Sequence, residues 1–281
     1  MCRLFGFRSV LQSQVHRSLV GAENALAAQS VRHPDGWGVA YYQAGAPHVI
    51  KSTQAAVDDH IFRRVSGVVS SETVLAHLRK ATVGDHSIVN IHPFQFGRWV
   101  FAHNGNLAGF DALRPKLLER VPPVFRRFIL GDTDSELLFM LLISKMADRC
   151  DPTRRGFPLR DLFDAIAETV EVVESIVGPI CEDPDGPPTA TYLTFVVTNG
   201  TSLAAYQGGK PLHVSTHKTR CPERDVCPSF APECEAPTER GFVNHFIVSS
   251  EPLMGENVWR PLALRQTVGV DFRMQVEGLA A

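Results

Sequence analysis

The first third of the chain contains apolar runs typical of strands and one segment with the three- and four-residue spacing of a helix. Apolar runs that suit strands occupy residues 2–10, 37–43, 48–51 and 73–78, and a segment with helical three- and four-residue spacing, 19–27, follows the first of them. A glycine and a proline interrupt the chain between the second and third runs, which is typical of a hairpin turn. This part of the chain therefore predicts a strand, a helix and then antiparallel strands.

The middle third turns to helical spacing after one more strand at 98–103. Apolar positions three and four residues apart predict helices at 109–119, 133–147 and 158–177. The clearest pattern belongs to the third helix, where the recurring apolar residues are Leu159, Leu162, Phe163, Ile166, Val170 and Val173. A block of helices is thus expected between two groups of strands.

The last third returns to strands, separated by loops rich in proline and glycine. The predicted strands are 192–198, 202–206, 242–249 and 264–276. Asn199-Gly200 between the first two favours a hairpin, because it supplies the positive φ that a tight turn needs. Strands, then helices, then strands predict an α+β fold of antiparallel sheets covered by helices. We expect residues 2–281 to form a single domain, with 217–241 as an irregular Cys- and Pro-rich loop.

The composition narrows the function classes. The chain has 281 residues, of which 44% are hydrophobic, and a formal net charge of −2, so it can bury a sizeable core and has no long-range attraction for nucleic acid or an anionic membrane. No uncharged stretch reaches the roughly 18 residues that a spanning helix needs, and the N-terminus lacks the pattern of a secretory signal. We therefore expect a cytoplasmic protein with neither a nucleic-acid nor a membrane partner.

Six cysteines, at positions 2, 150, 181, 221, 227 and 234, are too sparse for a disulfide framework in a cytoplasmic chain, so free thiols are expected. The last three lie near His217 and His245 and could bind zinc. Their gaps of five and six residues do not match the shorter Cys-x-x-Cys type of spacing found in tetrahedral zinc sites, and prolines between them favour an irregular loop. We expect no metal and no cofactor, with a zinc site in this loop as the alternative.

Cys2 becomes the N-terminal residue once the initiator Met1 is removed, and its small side chain permits that removal. An N-terminal cysteine carries its own general base. The α-amine has a reference pKa of about 7.7–8.0, against about 8.5 for the thiol, and can take the thiol proton directly or through a water. Many intracellular chains begin Met-Cys by chance, so this position identifies a nucleophile only with support from elsewhere.

Five further short motifs supply that support. In chain order they are His33-Pro34-Asp35-Gly36-Trp37-Gly38, His77-Leu78-Arg79-Lys80-Ala81-Thr82, Asn90-Ile91-His92-Pro93-Phe94, Trp99-Val100-Phe101-Ala102-His103-Asn104-Gly105-Asn106-Leu107 and Gly131-Asp132-Thr133-Asp134-Ser135-Glu136. Together with Cys2 they resemble the glutaminase domain of class II glutamine amidotransferases, the N-terminal nucleophile amidohydrolases. Segments 247–253 and 259–261 resemble the stand-alone bacterial branch that includes the γ-glutamyl amidohydrolase of ergothioneine biosynthesis. The resemblance implies a four-layer αββα sandwich.

The resemblance also implies a nucleophile and an oxyanion site. Cys2 would attack the γ-carbonyl of glutamine or of a γ-glutamyl conjugate, forming a glutamyl thioester that water hydrolyses. The Asn104 side chain and the Gly105 N–H would stabilise the oxyanion, since an amide is a neutral donor and glycine lets the backbone come close. Taken without the resemblance, Asn104-Gly105 indicates a turn after the preceding strand.

A clamp for the amino-acid end of the substrate is implied in the same way. Arg79 would bind the α-carboxylate through its planar fork, and Asp134 would bind the α-ammonium. The alternatives are a solvated arginine at a strand end and a carboxylate that caps the helix at 133–147. Thr82 and His92 also fall among the substrate-binding motifs, where we expect them to support the site rather than to react.

The chain departs from synthase-fused relatives beside these motifs. Lys80 and Val83 stand where those relatives usually carry Trp and His. Loss of the aromatic ring is expected to open the wall beside the scissile amide for a leaving group larger than ammonia. We therefore expect a stand-alone amidohydrolase acting on a small molecule, glutamine or a γ-glutamyl compound. The alternatives are a glutaminase subunit that delivers ammonia to a synthase partner, and a non-catalytic binding or metal-sensing module on the same scaffold.

Overall fold

Two seven-stranded sheets lie face to face in the computed structural model, which describes residues 2–80 and 84–279. In chain order, the strands are β1 (Arg3–Gln14), β2 (Trp37–Gln43), β3 (Ala46–Ser52), β4 (Ser70–Leu78), β5 (Phe94–Phe96), β6 (Trp99–Asn106), β7 (Tyr192–Thr198), β8 (Leu203–Tyr206), β9 (His213–Ser215), β10 (Gly241–Phe242), β11 (His245–Ser249), β12 (Arg260–Pro261), β13 (Thr267–Val270) and β14 (Gln275–Glu277). The first sheet has the order β12-β9-β11-β1-β4-β2-β3, and the second has the order β10-β14-β13-β8-β7-β6-β5. Every strand pair described is antiparallel.

Helices cover the outer face of each sheet. They are α1 (Leu26–Gln29), α2 (His60–Val68), α3 (Phe110–Glu119), α4 (Pro123–Arg126), α5 (Asp134–Ala147) and α6 (Leu159–Val177). A π-helical turn at Arg17–Gly21 and short 3-10 turns at Ser30–Arg32, Ile88–Asn90 and Pro232–Cys234 complete the regular structure. Within the described residues, no helix combines the length and the apolar character needed to cross a membrane.

Three hydrophobic cores separate these four layers. Because side chains alternate along a strand, β1 directs Leu4 to the core between the sheets and Phe5 to the outer core of the first sheet. In that outer core, Trp37 meets Phe62 of α2 edge to face at 4.9 Å between ring centroids. On the outside of the second sheet, Phe101 stacks on a phenylalanine of α5. The α+β fold of antiparallel sheets covered by helices is thereby confirmed.

Most predicted elements have nearly the expected bounds, and the exceptions have local causes. The segment 19–27 is not one helix, because the chain is extended at Ala22 and the Asn24 side chain bonds to the backbone of Pro252 and Met254. Helix α2 was not predicted, although Asp59 caps it by accepting a hydrogen bond from the Ile61 N–H.

The two long strands predicted near the C-terminus are each divided. Between β10 and β11 the chain passes from the second sheet to the first, because Phe242 pairs with β14 whereas His245 pairs with β1. The segment 264–276 forms the hairpin β13–β14 instead of one strand, and its turn is held by the Asp271 carboxylate, which accepts from the backbone N–H groups of Arg273 and Gln275. The hairpin turn at Asn199-Gly200 is confirmed, with φ of +91° at Gly200.

The pairing of β1 with β4 positions Cys2. Arg3 lies opposite Leu78, and Leu4 lies opposite His77. The residues just beyond these pairs, Cys2 and the one that follows Leu78, therefore meet at the same end of the first sheet.

Substitution of Gly38 tests the packing against β2, and Gly67 provides a control. A Cβ on Gly38 of β2 would lie 2.0 Å from the carbonyl oxygen of His92, whereas a Cβ on Gly67, exposed in α2, would meet no heavy atom within 4 Å. Gly38→Ala should lower the free energy of unfolding by about 1–3 kcal/mol through overpacking. Gly67→Ala, the matched control, should raise it by about 0.5–1 kcal/mol because alanine favours a helix. Denaturant unfolding measures both, and equal changes would contradict the packing described.

Candidate active site

Cys2 lies at the start of β1, against the backbone that follows β4. The Lys80 N–H donates to the Cys2 sulfur at 3.3 Å, and the thiol donates to the Lys80 carbonyl at 3.5 Å. The Lys80 side chain itself is exposed, whereas Cys2 is half-buried. Within residues 2–80 and 84–279, the thiol is therefore held by two backbone groups and not by a side-chain base.

Burial raises the pKa of the Cys2 thiol, and the charge of Asp134 adds to this. The Lys80 N–H and the charge of Arg79 act in the opposite direction without cancelling the effect. The thiol is consequently protonated near neutral pH and needs a proton acceptor before it can act as a nucleophile.

The imidazoles around this end of the sheets are weak bases. Burial lowers the pKa of His33 and of His77 to about 3, helped by nearby positive charges, and it lowers the pKa of His92 well below its usual range. A group with so low a pKa is a poor acceptor for the proton of a thiol whose pKa is raised.

Asn104 and Gly105 belong to a strand, so the turn interpretation is wrong. β6 continues through both residues, which pair with Thr194 and Leu193 of β7. A Cβ at Gly105 would lie 2.0 Å from the Tyr192 carbonyl oxygen, which excludes any larger residue there. The Asn104 side chain is 3% exposed, and its Oδ1 makes no hydrogen bond within the described part of the chain.

Arg79 is buried, so the solvated alternative is also wrong. Only 3% of its surface is exposed. Its guanidinium donates to the backbone carbonyls of Gly84 at 3.1 Å and Asp85 at 3.2 Å, and its backbone N–H donates to the Gly36 carbonyl at 2.8 Å. The two carbonyls therefore fix the orientation of the planar guanidinium, and the Gly36 carbonyl fixes the Arg79 backbone.

Asp134 is the first residue of α5, but the helix cap is its neighbour. The Thr133 hydroxyl accepts from the Glu136 N–H, which is the role that the capping alternative gave to Asp134. Asp134 instead accepts from the Leu107 N–H at 2.8 Å and from the Ser135 hydroxyl at 3.0 Å. Its carboxylate is 3% exposed and is held in place by groups from two elements.

A small cavity gathers residues from these elements. It has a volume of about 20 Å³, and its lining residues are Cys2, Arg79, Lys80, Asn90, His92, His103, Gly105, Thr133, Asp134 and Ser135. Asn104 is not among them. This space suits about one water molecule, so a glutamine side chain can enter only when the cavity widens. Thr82, together with Val83, lies outside the described residues.

His92 packs as a neutral ring in the wall of this cavity. Its centroid is 4.2 Å from that of His77 and 4.6 Å from that of Phe94, and its two ring nitrogens have no hydrogen-bond partner within residues 2–80 and 84–279. This packing is compatible with the supporting role expected for His92.

Asn90, His103 and Ser135 are among the cavity residues that were missed at the sequence level. Asn90 donates to the Asp85 carbonyl and to the Asp132 carboxylate, which ties the loop that holds Arg79 to the loop before α5. His103 and Ser135 hydrogen-bond to each other at 2.9 Å. All three lie inside the motifs that carry the resemblance, next to residues that were singled out.

A larger cavity of about 660 Å³ lies elsewhere, along the second half of β1 and the loop that contains Cys221, Cys227 and Cys234. These cysteines are free thiols. No group of three or more His, Cys, Asp or Glu side chains in the described part of the chain is arranged to hold a metal ion.

Comparison with known proteins identifies the family of the chain. The family model for class II glutamine amidotransferases matches residues 1–264. The chain is 27% identical over 224 residues to the probable glutamine amidotransferase DUG3 of Saccharomyces cerevisiae, covering 72% of this chain and 62% of that protein. It is 31% identical over 115 residues to the gamma-glutamyl-hercynylcysteine sulfoxide hydrolase of Mycobacterium tuberculosis, covering 37% of this chain and 49% of that protein.

The solved structure of a glutamine aminotransferase class-II domain protein from Silicibacter pomeroyi superposes on this chain with a TM-score of 0.62, and the match covers the full length of both chains. Because the sequences are only 20% identical, this match bears on the fold alone. The chain spans only 62% and 49% of the two curated relatives. The family model nevertheless covers nearly all of its residues, in agreement with the motifs around Cys2, Asn104 and Asp134. The chain therefore belongs to the class II glutamine amidotransferases.

Proposed function

We propose that the protein is an N-terminal cysteine amidohydrolase that cleaves the side-chain amide of glutamine or of a γ-glutamyl conjugate. The observation that carries this proposal is the shared cavity, which gathers Cys2, Gly105, Arg79 and Asp134 from four separate elements. The depressed pKa values of the neighbouring histidines support the α-amine of Cys2 as the base, because that amine is the acceptor whose ordinary pKa suits the task.

In the proposed reaction, the α-amine of Cys2 takes the thiol proton, and the sulfur attacks the γ-carbonyl. The Asn104 amide and the Gly105 N–H stabilise the oxyanion, a contribution of roughly 3–4 kcal/mol for one well-placed donor. When the C–N bond breaks, the α-ammonium returns the proton to the leaving amine. Water then attacks the glutamyl thioester, releasing glutamate and restoring the thiol.

Substrate selection is assigned to two buried charges. The Arg79 fork, which backbone carbonyls already orient, would bind the α-carboxylate, and Asp134 would bind the α-ammonium. A compound that lacks either charge would lose one of these charge-assisted contacts, so it would bind weakly.

Charges near Cys2 support a conjugate with a carboxylate on its leaving group. Arg3 donates to the Cys2 carbonyl and also pairs with Glu251, and Arg32 approaches the same Glu251 oxygen at 3.7 Å. Two guanidinium groups thus share one carboxylate. Arg32 is 67% exposed and can bind an anion that arrives with the substrate. The mycobacterial relative is named for hydrolysis of a γ-glutamyl conjugate, which supports the same substrate class.

The alternative of a glutaminase subunit is favoured by one feature. Exposed apolar side chains lie on the two loops that Asn90 and Asp132 join beside the cavity: Ile88, Val89, Phe128 and Leu130. A synthase partner seated there would cover them. Stimulation of glutamine turnover by a copurifying synthase would support this alternative.

We predict that the mature protein begins at Cys2 and that 6-diazo-5-oxonorleucine, a reactive glutamine analogue, labels its sulfur alone. Peptide mass mapping checks both points, with the five other free cysteines as internal controls. Cys2→Ala should abolish turnover, and a permanent N-terminal tag should nearly do so because it converts the amine into an amide. Labelling of another cysteine, or retention of Met1 in the active protein, would overturn the assignment.

Arg79→Lys and Asn104→Ala should affect different kinetic constants. Lysine keeps the charge but loses the bidentate hydrogen bonds, so KM should rise by about 10- to 100-fold with a smaller change in kcat. Asn104→Ala removes a donor that is used mainly in the transition state, so kcat should fall by about 10²- to 10³-fold with little change in KM. Steady-state kinetics that show the reverse pattern would mean that the two roles are exchanged.

The leaving group should also determine kcat/KM. We predict the order γ-glutamyl-glycine, then γ-glutamyl-ethylamide, then glutamine, because size and the extra carboxylate both favour the first. Arg32→Ala should reduce the advantage of γ-glutamyl-glycine over the ethylamide by several-fold, whereas Arg160→Ala, an equally exposed arginine on α6, should not. A preference for glutamine in the unmodified enzyme would contradict the conjugate-hydrolase assignment.

A further inference from the structure

His103 connects the oxyanion strand to the carboxylate of Asp134. Its Nε2 lies 2.9 Å from the Tyr192 carbonyl oxygen of β7, and its Nδ1 lies 2.9 Å from the Ser135 hydroxyl. That hydroxyl is also 3.0 Å from Oδ1 of Asp134. His103, Ser135 and Asp134 are each at least 96% buried, so water does not replace these contacts.

The protons in this chain of contacts can be counted. The Tyr192 carbonyl can only accept, so Nε2 of His103 carries a hydrogen. The Asp134 carboxylate also only accepts, and Ser135 has a single hydroxyl proton. If the Ser135 hydroxyl donates to Asp134, its oxygen can only accept a hydrogen bond from His103. Nδ1 then carries a proton as well as Nε2, and the ring is an imidazolium. If the ring is neutral, Asp134 and His103 compete for one hydroxyl proton.

The surroundings of His103 favour the neutral form of its ring at neutral pH. Burial lowers its pKa, while the charge of Asp134 and the Tyr192 carbonyl oppose the shift. His77 of β4 and His92 of the segment before β5 also lie near it, and both are neutral because their own pKa values are depressed. The Arg79 guanidinium and the Cys2 thiol line the same cavity as His103. At neutral pH, the Ser135 proton is therefore shared between two acceptors.

We propose that His103 is a positioning residue that acts through Ser135 on Asp134, so that the imidazolium form of His103 and the ammonium group of the substrate are competing partners for one carboxylate. This inference rests on the proposed function, in which Asp134 binds the ammonium. When the ammonium donates to Asp134, the Ser135 proton turns to Nδ1 of a neutral His103, and every group in the chain has a partner. A protonated His103 must release its proton as the ammonium binds.

Substrate affinity therefore depends on pH in a defined direction. Below the pKa of His103, the buried imidazolium already balances the charge of Asp134, and a second cation meets repulsion. Above that pKa, the Asp134 carboxylate has no imidazolium linked to it through Ser135 and can take the ammonium. By linkage, the dissociation constant of an amino-acid ligand should rise about tenfold for each pH unit below the His103 pKa.

The test is calorimetric titration of the Cys2→Ala protein with L-glutamate from about pH 5 to 7.5, at each pH in two buffers of different ionisation enthalpy. The buffer dependence gives the protons released for each ligand bound. We expect release to be near zero at the upper pH and to increase as the pH falls, while affinity falls. Absence of any release across this range would overturn the role of His103. Glutarate, which has the two carboxylates but no ammonium, should bind more weakly and without that release.

Two variants break the chain of contacts in different ways. Ser135→Ala removes the link, and His103→Asn places an amide that can accept the Ser135 proton but cannot titrate. Both should lose the proton release and most of the pH dependence. The control is Ser144→Ala on the same helix, where a buried serine donates to the Leu141 carbonyl at 2.6 Å. It should behave as the parent does.

The outcomes separate this inference from the proposed function. Asp134→Asn should abolish glutamate binding if the clamp is correct. Loss of binding in Asp134→Asn, combined with undiminished proton release in both Ser135→Ala and His103→Asn, would overturn the role of His103 alone. Unimpaired glutamate binding in Asp134→Asn would overturn the clamp, and the role of His103 with it.

Discussion

The antiparallel register of β1 and β4 is the constraint on which the site depends. It places Arg3 opposite Leu78, so that the residues before one strand and after the other adjoin at one end of the first sheet. Two hydrogen bonds with the Lys80 backbone then hold the Cys2 sulfur. A register shift of one residue would send the Cys2 side chain to the opposite face, away from β6 and α5.

The histidines near Cys2 are buried and mostly uncharged at neutral pH. Four imidazoles, those of His33, His77, His92 and His103, have depressed pKa values, so this region contains many nitrogen atoms but little positive charge. The fixed charges that remain are carried by the guanidinium of Arg79 and the carboxylate of Asp134. In such an environment, electrostatic interactions are strong because solvent does not screen them.

The sequence predicted the elements whose signal is local. Strand β2 has the expected bounds, and α3, α5 and α6 begin within one residue of expectation, because hydrophobic spacing and caps report on the nearest neighbours. Asn104-Gly105 was ambiguous because its strand partner, β7, lies far along the chain. The segment 242–249 was expected to form one strand because no local sequence feature marks the passage between the sheets.

The same distinction applies to the site. Motifs singled out Cys2, Arg79 and Asp134, and the structure places all three around one cavity. His103 and Ser135 were passed over because their significance comes from a contact between β6 and α5, which no spacing along the chain reveals. The burial of Arg79 was likewise invisible, since the carbonyls that hold it belong to a loop without regular structure.

The position of β11 has a consequence for biosynthesis. β1 is flanked by β4 on one side and by β11 on the other, and β11 spans His245–Ser249, more than two hundred residues after β1. On the ribosome, β1 can pair with β4 early, but its other edge stays open until most of the chain has been made. The edge of β1 that receives β11 therefore stays uncovered until late in synthesis, whereas the residues of the cavity around Cys2 all lie at or before Ser135 and are made much earlier.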